Sequence, residues 1–198
     1  MQEQVYTVKV TPERTECRND KGQLHRLDGP AIERANGSKY WYQNDQLHRL
    51  DGPSFEGAYG DKSWYQNDQL HRLDGPAIER ANGSKYWYQN GQLHRLDGPA
   101  IEYAGGGKHW YQNGQRHRLD GPAIEWADGD KSWYQNDQLH RLDGPAIERA
   151  NGNKAWYING KELTEREFPA RTQPKELTMD EIAERFGIPV EGLKIKKG

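Results

Sequence analysis

The sequence predicts an all-β repeat protein: an elongated, twisted antiparallel sheet of six stacked β-hairpins, with a small C-terminal α/β segment. Three observations predict it. His25, His48, His71, His94, His117 and His140 are each followed by Arg, and successive members lie 23 residues apart. Leu27-Asp28-Gly29-Pro30 and Trp41-Tyr42 recur on the same period, so the register covers the whole unit. A fixed period of this length marks a stacked array whose units are stable only through their neighbours. The third observation is composition. Apolar residues make up 33% of the 198, too few for the thick core of a compact enzyme. Yet aromatics reach 11% and the net charge is only −2, opposite to the habit of disordered chains.

The elements follow in order. Residues 1–22 read as a capping strand with a partial repeat, because Val5-Tyr6-Thr7-Val8-Lys9-Val10 alternates like an edge strand. Residues 23–160 hold the six units. In the first, Ala31–Ala35 is one strand, Asn36-Gly37 the turn, and Ser38–Gln43 the returning aromatic strand. Asn-Gly at the centre predicts a two-residue type I′ turn, which would set Ile32 opposite Trp41. An Ile–Trp row would then form the core, sealed by Leu27 and its equivalents. Asn44-Asp45 or Asn90-Gly91 makes a second turn into the His-Arg-Leu-Asp-Gly-Pro segment. Positions 34 and 40 vary between units (Arg34, Gly57, Arg80, Tyr103, Trp126, Arg149; Tyr40, Ser63, Tyr86, His109, Ser132, Ala155), and so read as solvent-facing. Residues 161–174 read as a linker and 175–198 as a helix-plus-strand appendix. There Thr178-Met179-Asp180-Glu181 is a capping box, Ile182, Ala183 and Phe186 mark an apolar face, and Gly187 is a C-cap.

His-Arg-Leu-Asp is the sharpest polar motif. Six copies of a catalytic pair without a distinct nucleophile make little chemical sense, because an active site needs one asymmetric constellation. The expected role is structural: Asp28 pairs with Arg26, and His25 bonds the neighbouring hairpin. No catalytic residue, cofactor or metal site is expected. Equivalent His residues would lie about 10 Å apart on a sheet with two strands per unit, too far to share an ion. The partner-binding candidates are the Arg row (Arg26, Arg49, Arg72, Arg95, Arg118, Arg141), the Tyr row (Tyr42, Tyr65, Tyr88, Tyr111, Tyr134), Tyr103 and Trp126. The Tyr row is expected to be exposed and the Trp row buried, since adjacent strand residues face opposite ways.

Asn44-Asp45-Gln46-Leu47-His48-x-x-x-Gly52, followed by Gly60 and Trp64-Tyr65, resembles the MORN repeat. The unit departs from that family in Arg-Leu-Asp-Gly-Pro after the His and in Trp-Tyr spacing. It is similar to the H-R-x-D-G-P-A repeats of uncharacterised bacterial and bacteriophage proteins. The resemblance implies a row of hairpins in one twisted sheet and a scaffold or interaction role. The expected function is therefore a non-enzymatic scaffold binding a protein partner, of the phage type that inhibits or modulates a host or defence protein. The rival is nucleic-acid or nucleotide binding along the Arg/Tyr face. An end-to-end or edge-to-edge homodimer is compatible with the open sheet. A cytoplasmic setting, that of the host for a phage protein, is expected from the single Cys17, from the lack of a secretory leader in residues 1–5, and from the absence of any spanning apolar run. No membrane association is expected at a pI near 6.4.

Overall fold

The computed structural model describes residues 6–168, so the C-terminal capping box, helix and tail expected at 175–198 lie outside the described residues. Strand β1 (Thr7–Val10) pairs with β2 (Arg14–Arg18), which pairs with β3 (Ile32–Arg34) of the first unit. Strand β4 (Lys39–Tyr40) closes the first hairpin and then pairs with Phe55–Glu56 of the next unit. Repetition of that step gives one 15-stranded antiparallel sheet in sequence order. The fold class expected from the period is the one observed.

Each unit contains two hairpins rather than one. Beyond β4 the chain leaves the long sheet at Trp41, whose N–H donates to the carbonyl of Ser54 in the next unit at 2.9 Å. It then forms a small second hairpin from β5 (Tyr42–Gln43) and β6 (Gln46–Leu47). In the last unit the two segments merge, and the strand runs unbroken as Lys154–Ile158 beside the final strand.

The type I′ turn expected at Asn36-Gly37 is not found there. Asn44 and Asp45 both have positive φ (52° and 65°), as a type I′ turn requires, so the two-residue turn belongs to the second hairpin. In the first hairpin only Gly37 is left-handed (φ 91°). Its N–H bonds the Arg34 carbonyl, while the Arg34 N–H bonds the Ser38 carbonyl. This is a three-residue loop, a type I turn closed by a left-handed glycine. The extra residue shifts the register by one: Ile32 faces Tyr40 and Glu33 faces Lys39. A one-residue slip moves every partner to the other face. Three expectations fall with it. The Ile row lies beside position 40, not beside Trp41. Position 40 is not solvent-facing, because Ser63, His109 and Ser132 are buried there. The Trp side chains are half-buried on the opposite face, and the Tyr row is half-buried as well rather than exposed.

The deepest positions are small. Ala31, Ala77, Ala100, Ala123 and Ala146 are 0–1% exposed, as is Ser54 in the second unit. Ile32, Ile78 and Ile101 are buried on the other side of the same strands. The leucines do not seal this core. Leu27, Leu50, Leu73, Leu96, Leu119 and Leu142 are 53–76% exposed, because the preceding Arg turns inward in their place.

Residues 1–162 and 163–198 form two units by compactness. Lys161–Leu163, read from sequence as the start of a linker, is the final strand, following a turn at Asn159 and Gly160 with the positive φ of its predecessors. Within the second unit, Thr164 and Glu167 bond reciprocally: Thr164 N–H and Oγ1 donate to the Glu167 carboxylate, and Glu167 N–H donates back to Oγ1. That is a capping box.

Candidate binding surface

The Arg row is an internal clamp. Arg49 lays its guanidinium over the Trp41 ring at 4.2 Å, and Arg72, Arg95, Arg118 and Arg141 cover Trp64, Trp87, Trp110 and Trp133 at 4.0–4.1 Å. Nε donates to the Asp two residues on, at 2.8–3.0 Å in these five. Nη1 donates to the carbonyl of the Pro four residues on and to the Glu seven residues on, as Arg95 does to Pro99 (3.2 Å) and Glu102 (3.0 Å). The planar fork suits such bidentate and stacked contacts, which a Lys would not reproduce. Arg26, with no Trp eight residues before it, keeps only the Asp28 bond at 2.9 Å. The Arg packs against the bare Cα of Gly in the clamp loop: a Cβ on Gly52 would stand 2.9 Å from Cζ of Arg49 and shift the guanidinium. The Arg hydrogen bond is also the leading cause that holds Asp28, Asp51, Asp74, Asp97, Asp120 and Asp143 below the ordinary carboxyl value of 3.8.

With Arg turned in, Leu and Asp turn out. Open grooves lie between successive clamp loops: about 480 Å³ between Leu27 and Leu50, 440 Å³ between Leu50 and Leu73, 540 Å³ between Leu96 and Leu119, and 560 Å³ between Leu119 and Leu142. In each, two Leu and one Pro make the walls, a Trp and a Gln the floor, and a His one end. The Asp side chains at the rim are 72–84% exposed. Each of these His residues is fixed by the Asn 19 residues on, at the turn of the second hairpin of its own unit. The Asn N–H donates to its Nδ1 at 3.1–3.3 Å. The same Nδ1 lies 2.7–3.0 Å from the Asn Oδ1, so the ring nitrogen is held by both groups of that Asn. The expected pairings of Asp28 with Arg26 and of His25 with the adjacent hairpin are both present.

The Tyr row gives less to a partner. Tyr42, Tyr65, Tyr88, Tyr111 and Tyr134 are half-buried, and burial pushes the hydroxyls of Tyr42, Tyr88 and Tyr111 above the usual value of 10.0. Tyr103 and Trp126 stack at 6.0 Å, and both meet the His109 ring edge-on, at 5.2 and 4.5 Å. Trp126 remains 45% exposed above that pair. His109 is 5% exposed, and its Nε2 is the one buried side-chain polar atom without a hydrogen-bond partner among the described residues. No group of His, Cys, Asp and Glu among the described residues is arranged to hold a metal. No helix among them is long and apolar enough to cross a membrane.

The residues that sequence reasoning missed are the Leu and Pro of the groove walls. Their signal was available: an invariant Leu between Arg and Asp, directly before Gly-Pro, sits in a loop rather than in a strand. No protein-family model matches the chain, and no curated protein matches it.

Proposed function

We propose that this chain is a non-enzymatic scaffold that binds a protein partner along its ladder of grooves. The carrying observation is the row of exposed leucines on rigid, clamped loops, each beside a Pro and a half-buried Trp. Apolar groups held in water at fixed spacing mark an interaction surface. Catalysis has less support: the six His of the repeat have equivalent structural bonds, and the one asymmetric His, His109, is sealed. Phosphate binding also has less support, because each central Arg already satisfies two carboxylates. The likeness to H-R-x-D-G-P-A repeats makes a host or defence protein the partner class, with the MORN-like array as its platform. The test is a triple variant, Leu50→Ser, Leu96→Ser and Leu119→Ser. It should keep the circular dichroism of the parent and lose the partners that the parent captures from native-host extract. Capture of the same partners in equal amount would overturn the reading. So would a turnover abolished by changing any one His.

A further inference from the structure

Three features stand outside the clamp itself: the groove ladder, the His109 aromatic cluster, and the edge of β1 with Val8 and Val10 exposed. The cluster is packed ring against ring around His109, and the edge of β1 has no defined partner chemistry. The groove ladder has a defined period, wall chemistry and charge.

We infer that the ladder binds an extended, basic polyproline-II segment with an apolar residue at every third position; this rests on the proposed groove-binding scaffold. The period carries the argument. Two strands per unit, each about 4.8 Å apart, space the grooves by about 9.6 Å. A polyproline-II helix has three residues per turn and rises about 3.1 Å per residue, so residues i, i+3 and i+6 share one side at about 9.3 Å intervals. Successive side chains on that side enter successive grooves. A β-strand does not match, since residues three apart point to opposite faces. An α-helix rises 1.5 Å per residue, and about 9.6 Å brings it between six and seven residues, off the contact face. The twist of the array limits how many grooves one straight segment follows before it must bend.

The chemistry agrees with the period. Leu, Pro and Trp walls are of the kind that accept polyproline-II ligands, whose preformed backbone loses little entropy on docking. Charge then sets the rest of the triplet. In each of the five clamps from Arg49 to Arg141, one guanidinium faces an Asp and a Glu, and a Lys stands opposite that Glu in the sheet, so the charge left most open to solvent at the groove is the rim Asp. The exposed partner is the Asp at the groove rim. Its Oδ1 receives the Arg Nε, and the side chain is 83–84% exposed at Asp51 and Asp97. A Lys or Arg beside the apolar residue of each triplet would meet it. Gln43 and its equivalents on the floor can bond peptide carbonyls exposed by a backbone that makes no internal hydrogen bonds.

The experiment titrates the full chain with synthetic peptides, read by tryptophan fluorescence and calorimetry. The peptides are five copies of Leu-Pro-Lys, the same triplets shortened to two copies, four copies of Leu-Pro-Pro-Lys, and five copies of Leu-Pro-Glu. The expected result has three parts. The five-triplet peptide binds at least tenfold tighter than the two-triplet and four-residue-period peptides. The acidic peptide shows no saturable binding. Added salt weakens the basic peptide, and Asp51→Asn with Asp97→Asn and Asp120→Asn flattens that dependence. Equal affinity for periods of three and four would overturn the inference, as would binding of the acidic peptide. Tight binding of single-stranded nucleic acid that competes with the peptide would also overturn it. The Leu50→Ser, Leu96→Ser, Leu119→Ser variant separates the two levels. If native-host partners are lost by that variant while no triplet peptide binds the parent, the groove reading stands and the polyproline-II inference falls. If the variant retains those partners, the groove reading itself falls.

Discussion

At the residue scale, the clamp shows one side chain setting the exposure of its neighbours. Arg95 takes the inward position that hydropathy alone would give to Leu96, because stacking on Trp87 and bonds to Asp97, Pro99 and Glu102 satisfy most of its donors. Hydropathy ranks residues by transfer from water and carries no record of such a fit, so the Leu row was misplaced from sequence while the Arg–Asp pair was legible. Gly98→Ala should cost about 1–3 kcal/mol, since its Cβ would stand 3.0 Å from Cζ of Arg95 and lift the guanidinium from Trp87. Leu96→Ser, at an exposed neighbour, should stay within about 0.5 kcal/mol; chemical denaturation compares the two. His109 gives a pH prediction. Burial first, then the charge of Arg116, holds its imidazole below the ordinary 6.5, against Tyr103 and Trp126. The fold therefore keeps it neutral while the unfolded chain protonates it. The stability that this gives is complete above 6.5 and is lost as pH falls below that value. His109→Ser, the residue used at Ser63 and Ser132, should give a flatter stability profile between pH 7 and 5 than the parent. Parallel profiles would show that His109 is not the titrating group.

At the scale of elements, the period made the hairpin array legible, but turn chemistry did not settle the register. Asn-Gly serves two turn types, and in Asn36-Gly37 only the glycine is left-handed. Asn36 instead caps the loop, with its Oδ1 accepting the Ser38 N–H at 3.0 Å. The choice is testable in the fourth unit, where both positions are glycine. Gly106 has φ 97°, whereas Gly105 is not among the positive-φ residues and has open space around a Cβ. Gly105→Ala should be neutral or stabilising by up to about 1 kcal/mol, through the unfolded chain. Gly106→Ala should destabilise by about 1–2 kcal/mol. A type I′ turn would make both changes harmful, and thermal melting of the two variants decides. The exit after Trp41 was also invisible to a reading of one unit, because the last ladder bond, from the Trp41 N–H, goes to a carbonyl of the next.

At the scale of the whole molecule, the backbone bonds at the seams between units repeat: Trp41, Trp64, Trp87, Trp110 and Trp133 each donate an N–H to the carbonyl of Ser54, Ala77, Ala100, Ala123 or Ala146 in the next unit. The side-chain bonds there vary, with Asp61 and Asp130 accepting from Ala81 and Ala150 N–H, and Ser38 and Ser84 from Ala58 and Ala104 N–H. Stability is then a sum of units and nearest-neighbour seams. Deleting residues 77–99 joins Pro76 to Ala100, a Pro-Ala junction like the one removed. The shortened chain should fold with one cooperative transition at a lower melting temperature, and its array should be about 10 Å shorter by scattering. Loss of the β signal in circular dichroism would show that the units are not interchangeable.

The same nearest-neighbour seams have a mechanical consequence. Load applied along the array falls on one seam at a time, and no long-range contact shares it. Once an end unit yields, the next seam meets the full force. Held by its termini in a force spectrometer, the protein should lengthen in near-equal steps. Each step frees 23 residues, or about 80 Å of extended chain less the roughly 10 Å already spanned. The step size is set by the sequence period, so the trace would read out the repeat length directly.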